Sequence, residues 1–209
     1  ENCTRLLSAG KNTFRGCAAA THFTSAFSGC ASLIDTGTGI FDGCFSGNNF
    51  GYTFDGCRAL TTLSADLFSD VPGGVFTAIF RSCTALTQLP PRLFRNCLEA
   101  THFGGAFSGC TQLLSVPDEF FKDLPLVNHF GTVFSGCSSL VKAGKAVFSG
   151  CALAQTFSSA FYYCRVLEEV GDDIFEGCVS ATTFASVFNS CTALTALPSF
   201  VDCNKATSF

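Results

Sequence analysis

The chain has 209 residues, including 25 Phe and 14 Cys but no Met or Trp, with a formal net charge of −4 and 13% charged residues. Apolar residues make up 47% of it, so a sizeable core can be buried and disorder is excluded. Lys and Arg are scattered singly, which leaves no basic stripe for nucleic acid and no polybasic patch for a lipid surface, and no apolar run approaches the roughly 20 residues that insert across a bilayer.

The N-terminal Glu1-Asn2-Cys3-Thr4 carries neither a leader nor an initiator Met, so the chain is expected to be processed or excerpted. Asn2-Cys3-Thr4 also matches the short acceptor pattern for N-glycosylation, a weak signal. From Cys3 onward the cysteines set a period. Cys3, Cys17, Cys30, Cys44 and Cys57 are separated by 14, 13, 14 and 13 residues, so every second cysteine returns after 27. One column holds Cys3, Cys30, Cys57, Cys83, Cys110, Cys137, Cys164 and Cys191; the other holds Cys17, Cys44, Cys97, Cys151, Cys178 and Cys203, with Val71 and Leu124 in its empty places. Val and Leu can neither form a disulfide nor bind zinc, yet both fill a buried apolar slot, so thiols packed as small hydrophobes fit best. Disulfides between column neighbours remain open, because stacked coils stand about 4.8 Å apart. Metal binding is disfavoured, since no Cys-x-x-Cys or Cys/His ligand spacing occurs, and no cofactor is implied. The redox compartment stays open.

Aligning on the cysteines brings 23 of the 25 Phe into three columns, which begin at Phe14, Phe23 and Phe27, and a Leu column runs from Leu6 to Leu194. Such columns are core. Each turn reads as two extended segments, each followed by a tight bend that ends in Phe-x-x-Cys. In the best copy, Leu86 to Leu89 is the first segment, Pro90-Pro91 marks its corner, and Ala100 to Phe103 is the second. Glycine recurs just before the cysteine, as in Ser28-Gly29, Ser135-Gly136 and Ser149-Gly150, where it suits a left-handed conformation. Pro72-Gly73-Gly74 lies at a one-residue deletion. The expectation is one repeat solenoid over residues 1–209, with short stacked parallel strands on two sides, short helical or 3-10 bends, and about 7.7 turns of 27 residues. Neither end reads as a polar capping repeat, which suggests a window of a longer array or head-to-tail homo-assembly.

The motif Cys83-Thr84-Ala85-Leu86-Thr87-Gln88-Leu89-Pro90 and the close Ala106-Phe107-Ser108-Gly109-Cys110, with their counterparts along the whole chain, resemble the BspA-like leucine-rich repeats of bacterial-type surface proteins. The departure is the period, since this chain has two Phe-x-x-Cys per 27 residues where most members have one per shorter repeat. The resemblance implies a leucine-rich-repeat-like solenoid, an extracellular or cell-surface location, and an adhesion role toward a protein or glycan. It carries no binding residues over, because the likeness lies in structural positions.

No nucleophile elbow, phosphate loop or paired-carboxylate motif appears, so no catalytic residue is assigned and an enzyme is not expected. The only catalytic candidates would be His102 and His129 with a cysteine. All three histidines, His22, His102 and His129, share one column with Asn49, Val75, Thr156 and Thr183, and strand alternation places that column opposite the buried Phe, on the solvent face. As stacked neighbours, His102 and His129 could bind a metal or sense pH; the plainer reading is an exposed strand position that tolerates polar residues. Tyr162 and Tyr163 replace the usual Ser-Gly at one bend, and Tyr52 lies in another. The candidate binding surface is therefore His22, His102, His129, Thr156, Thr183, Tyr162 and Tyr163. An interaction module ranks first and a filament of stacked solenoids second.

Overall fold

The computed structural model describes residues 2–209. Two parallel ladders run up the stack, one on each side of the coil. The first pairs Ser8 with Asp35 and Asp35 with Thr62, and continues further on as strands β1 (Ser115–Val116), β2 (Lys142–Ala143) and β3 (Glu169–Val170), in register in the order β1-β2-β3. The second links His22, Asn49, Val75, His102, His129, Thr156, Thr183 and Ser208 without a break. Neighbouring coils make their contacts 27 residues apart, as in the Thr101 hydroxyl donating to the Gly74 carbonyl. Parallel pairing on both sides agrees with the sequence reading.

The bends do not. Where helical or 3-10 segments were expected, the described residues form runs of turns and no helix. The bend after Phe103 shows why. Ala106 N–H donates to the Phe103 carbonyl (3.0 Å), Ser108 N–H to Gly105 (3.0 Å) and Cys110 N–H to Phe107 (3.2 Å), all three residues back. The intervening amides of Gly105, Phe107 and Gly109 point out of the coil, to the carbonyls of Gly131, Val133 and Ser135 at 2.9, 2.8 and 2.7 Å. Gly105 (φ 64) and Gly109 (φ 74) are left-handed, and such residues end a right-handed helix while aiming alternate amides at the next coil. The bends are thus hydrogen-bonded between coils as fully as the ladders are. Thr132 (φ 58) and Tyr52 (φ 59) hold the Gly105 position in other coils despite their side chains.

The core lies between the ladders. The Leu column is fully buried from Leu33 to Leu167, and the Phe columns are buried through the middle of the stack. Rings within a column stack offset, Phe103 on Phe130 at 5.8 Å and 6°, whereas rings of different columns meet edge to face, Phe94 against Phe103 at 4.7 Å and 68°. Both are the favourable arrangements of aromatic quadrupoles. Of the two phenylalanines outside the columns, Phe120 is buried against Phe121 and Phe45 is exposed.

All fourteen cysteines are free thiols, twelve of them buried and only Cys3 and Cys17 exposed. Ten donate S–H to the carbonyl of the Phe that opens the bend one coil earlier; Cys137 Sγ lies 3.3 Å from the Phe107 oxygen, and Cys164 Sγ lies 3.2 Å from that of Phe134. In eight of the ten, that oxygen already accepts the N–H of its own coil's cysteine, so the thiol fills its second lone pair; at Phe68 the N–H comes from Val71 instead. Cysteine suits the slot because it is small, apolar and still a weak donor. Burial pushes these thiols up, to about 12 for Cys57, Cys110 and Cys151, which keeps them protonated and unreactive at neutral pH. Iodoacetamide labelling followed by mass spectrometry is therefore expected to modify Cys3 and Cys17 in native buffer and the other twelve only in denaturant. Rapid native labelling of Cys110 or Cys137 would contradict this packing.

Candidate binding groove

The column that holds the histidines has a local structural task. Its side chains accept the N–H two residues on, which points away from the ladder: Gly51 N–H to Asn49 Oδ1 (3.0 Å), Gly131 N–H to His129 Nδ1 (3.3 Å), Ser158 N–H to Thr156 Oγ1 (3.2 Å) and Ala185 N–H to Thr183 Oγ1 (3.2 Å). Ser8 and Asp35 do the same on the other ladder, for Gly10 and Gly37. Residues with a short-range acceptor recur here because they close the turn that leaves the strand. Thr156 and Thr183 are further tied together through Ser158 Oγ, at 3.2 and 3.1 Å, so they brace adjacent coils.

His102 breaks this rule. Its Nδ1 pairs with the hydroxyl of Thr101 (3.0 Å), as that of His22 does with Thr21 (2.8 Å). The rings of His102 and His129 lie 6.1 Å apart and nearly parallel, and both line a groove of 470 Å³ on the face where the second ladder meets its bend. Exposure differs along the column: His22 and His129 are exposed and His102 is half-buried. The surroundings of His129 desolvate its ring, and together with the charge of His102 this holds it below the usual histidine range. His129 Nδ1 accepts from Gly131, so the neutral ring carries its proton on Nε2. His22 stands apart from the groove.

Arg81 and Tyr52 form one wall. Arg81 grips Asp55 through two parallel bonds, Nε to Oδ1 at 2.9 Å and Nη2 to Oδ2 at 2.7 Å, and its guanidinium lies 5.2 Å from the centre of the Tyr52 ring. The ion pair and the cation–π contact fix a planar group in place although Arg81 is exposed. The floor is low because its residues are small. Gly104 and Gly105 leave it bare, and a Cβ on Gly104 would fall 2.8 Å from His129 Nδ1. Ser108 and Ser135 line the groove where the same column has Arg81 before them and Tyr162 after them. Arg81, Ser108 and Ser135 were missed in the sequence, and the signal available was this column, in which two short residues sit between two long ones.

The tyrosine pair forms a separate feature. Tyr162 is half-buried rather than exposed, because its ring packs against Tyr163 (4.6 Å between centroids); Tyr163 is exposed at φ 61 beneath Arg165, 4.8 Å away. Buried thiols do not reach the groove surface: Cys110 and Cys137 on its coils are fully covered. Among the described residues, no cluster of three or more His, Cys, Asp or Glu is arranged to hold a metal ion.

These features define a parallel-stranded repeat solenoid with a recessed polar groove on its second-ladder face. No protein-family model matches the chain, and no curated protein does. Its structural neighbours are leucine-rich repeat proteins. A leucine-rich repeat protein of T. pallidum is 19% identical over 71% of this chain and 72% of that one, with a TM-score of 0.26. One from Bacteroides ovatus is 17% identical over 85% and 70%, with a TM-score of 0.20. A leucine-rich cell surface protein from Faecalibacterium prausnitzii is 15% identical over 95% and 85%, with a TM-score of 0.32.

Proposed function

We propose that the chain is one solenoid module of an extracellular or cell-surface protein, that it has no catalytic activity, and that it binds a protein or glycan partner through the face of the second ladder. The observation that carries this reading is the groove. Here Arg81, Tyr52, His102 and His129 converge over a floor of Gly and Ser. A solenoid presents such a face as one continuous surface, which suits recognition of an extended partner. The extracellular placement draws support from the resemblance of the repeats to the BspA-like type, and buried, protonated thiols are compatible with an oxidising milieu.

Biolayer interferometry against immobilised extracellular-matrix proteins and glycoproteins tests the reading. Saturable binding is expected to at least one of them. The double variant His102→Thr/His129→Thr, which installs the residue that this column carries at Thr156 and Thr183, should weaken it roughly tenfold, about 1.4 kcal/mol. Absence of binding across the panel, or equal binding by the double variant, would overturn the assignment.

A further inference from the structure

The groove also narrows the chemistry of what it holds, taking the face as the binding surface proposed above. Its charge is balanced. Arg81 is the one permanent cation of the lining, and Asp55 already offsets it through two short bonds. The other titratable groups facing it are the imidazoles of His102 and His129 and the phenol of Tyr52, and desolvation holds the His129 ring below the usual histidine range, toward its neutral form. A phosphate or an acidic peptide therefore meets no net positive field. An apolar anchor fares no better, since Tyr52 is the only large apolar-bodied side chain in the lining.

What the groove does offer is hydroxyls and planar polar groups. Ser108 and Ser135 stand on adjacent coils, about 4.8 Å apart by the strand spacing, and among the described residues neither hydroxyl has a protein partner. Each can donate and accept at once. Around them stand Nε2–H of His129 and the Nη1 of Arg81 that Asp55 leaves unused. In the column of Ser108, Arg81 and Tyr162 are three coils apart, which spans roughly 14 Å at that spacing. A ligand matching this inventory is uncharged, extended and dense in groups that both donate and accept. We propose that the groove between Arg81 and His129 binds a neutral oligosaccharide, whose ring hydroxyls engage Ser108, Ser135, His129 and Arg81.

Isothermal titration of the full chain with neutral hexasaccharides of glucose, mannose and N-acetylglucosamine, and with hexagalacturonate as the acidic counterpart, tests this at pH 7.5. At least one neutral hexasaccharide should bind saturably, with little dependence on salt. Ser108→Tyr fills the floor with a residue that the same column accepts at Tyr162, and it should weaken binding at least roughly tenfold. Ser28→Tyr, in that column but outside the groove, should bind as the parent does. Arg81→Ser, which restores the column's commonest residue, gives an independent second variant with the same expected loss if Ser108→Tyr fails to fold. The proposal is overturned if no neutral hexasaccharide binds, if only hexagalacturonate does, or if Ser108→Tyr and Arg81→Ser bind normally. Binding to an enzymatically deglycosylated matrix protein without any hexasaccharide binding would overturn the glycan inference alone and leave the interaction reading standing.

Discussion

In the presence of reductant, raising the pH above about 9 is expected to unfold the protein cooperatively, because the unfolded chain gives up thiol protons far more readily than the folded one. An unfolded cysteine titrates near about 8.5. In the fold, desolvation pushes Cys57, Cys110 and Cys151 to about 12 and Cys191 and Cys203 to about 11. The direction follows from the proton count. Below the unfolded value both states hold the proton and the full stability is present; above it only the folded state does, and stability falls until the folded value is passed. One such thiol loses up to about 1.4 kcal/mol per pH unit, so Cys57, Cys110 and Cys151 together lose up to about 4 kcal/mol for each unit above the unfolded value, a large share of the roughly 5–15 kcal/mol that holds a typical domain together. Far-ultraviolet circular dichroism against pH should show the transition centred between about pH 9 and 10.5. Burial raises Cys97 and Cys178 in the same way, so the triple variant Cys97→Val/Cys151→Val/Cys178→Val, which uses the residue that the column already tolerates at Val71, removes the titration of Cys151 and of these two and should move the midpoint upward. A wild-type signal unchanged to pH 11, or an unmoved midpoint in the variant, would refute the mechanism.

Gly74→Ala is expected to cost about 3 kcal/mol or more, whereas Gly16→Ala should cost about 1 kcal/mol. Both glycines are left-handed, at φ 111 and φ 75, so each substitution carries backbone strain. Only one collides. A Cβ on Gly74 would lie 1.9 Å from the carbonyl oxygen of Asn48, whereas one on Gly16 meets nothing within 4 Å. Neighbouring Gly73, at φ 133, would place a Cβ 2.3 Å from the Ala100 amide nitrogen. Backbone from the coils before and after approaches this pair directly, which is how the stack absorbs its missing residue without breaking the ladder from Asn49 through Val75 to His102. Thermal melts of the two single variants separate contact from strain. Equal melting temperatures would show that the close approach contributes nothing.

Much of the fold was legible because its information is periodic. Cys, Phe and Leu recurring at fixed intervals must share an environment in every coil, and residues that Val71 and Leu124 can replace must be buried. The parallel ladder through His22, Asn49, Val75 and His102 follows from the same alignment. The bends were misread as helical because Phe-x-x-Cys also fits one helical turn; what excludes a helix is left-handed backbone at Thr132, Tyr52 and their counterparts, which residue type alone does not announce. The histidine column reads in the sequence as a solvent-facing position; in the fold His22 and His129 are exposed, while Asn49, Val75, His102, Thr156 and Thr183 are half-buried. Its main task, closing the turn two residues on, came into view only with the hydrogen bonds of Asn49, His129, Thr156 and Thr183.

The period, the core columns and the column that runs His22, Asn49, Val75, His102, His129, Thr156 and Thr183 can all be read from residue types alone, because each of these is a property of one position repeated. The clamp of Asp55 on Arg81 over Tyr52, the hollow that holds Ser108 and Ser135 beside His102 and His129, and the thiols that donate to carbonyls one coil away arise from the stacking of the coils. Those relations join residues of different coils, whether of one column, as in Arg81 with Asp55, or of two, as in Arg81 with Tyr52. They depend on how far each side chain rises above its neighbours in the stack, and no single repeat contains that height.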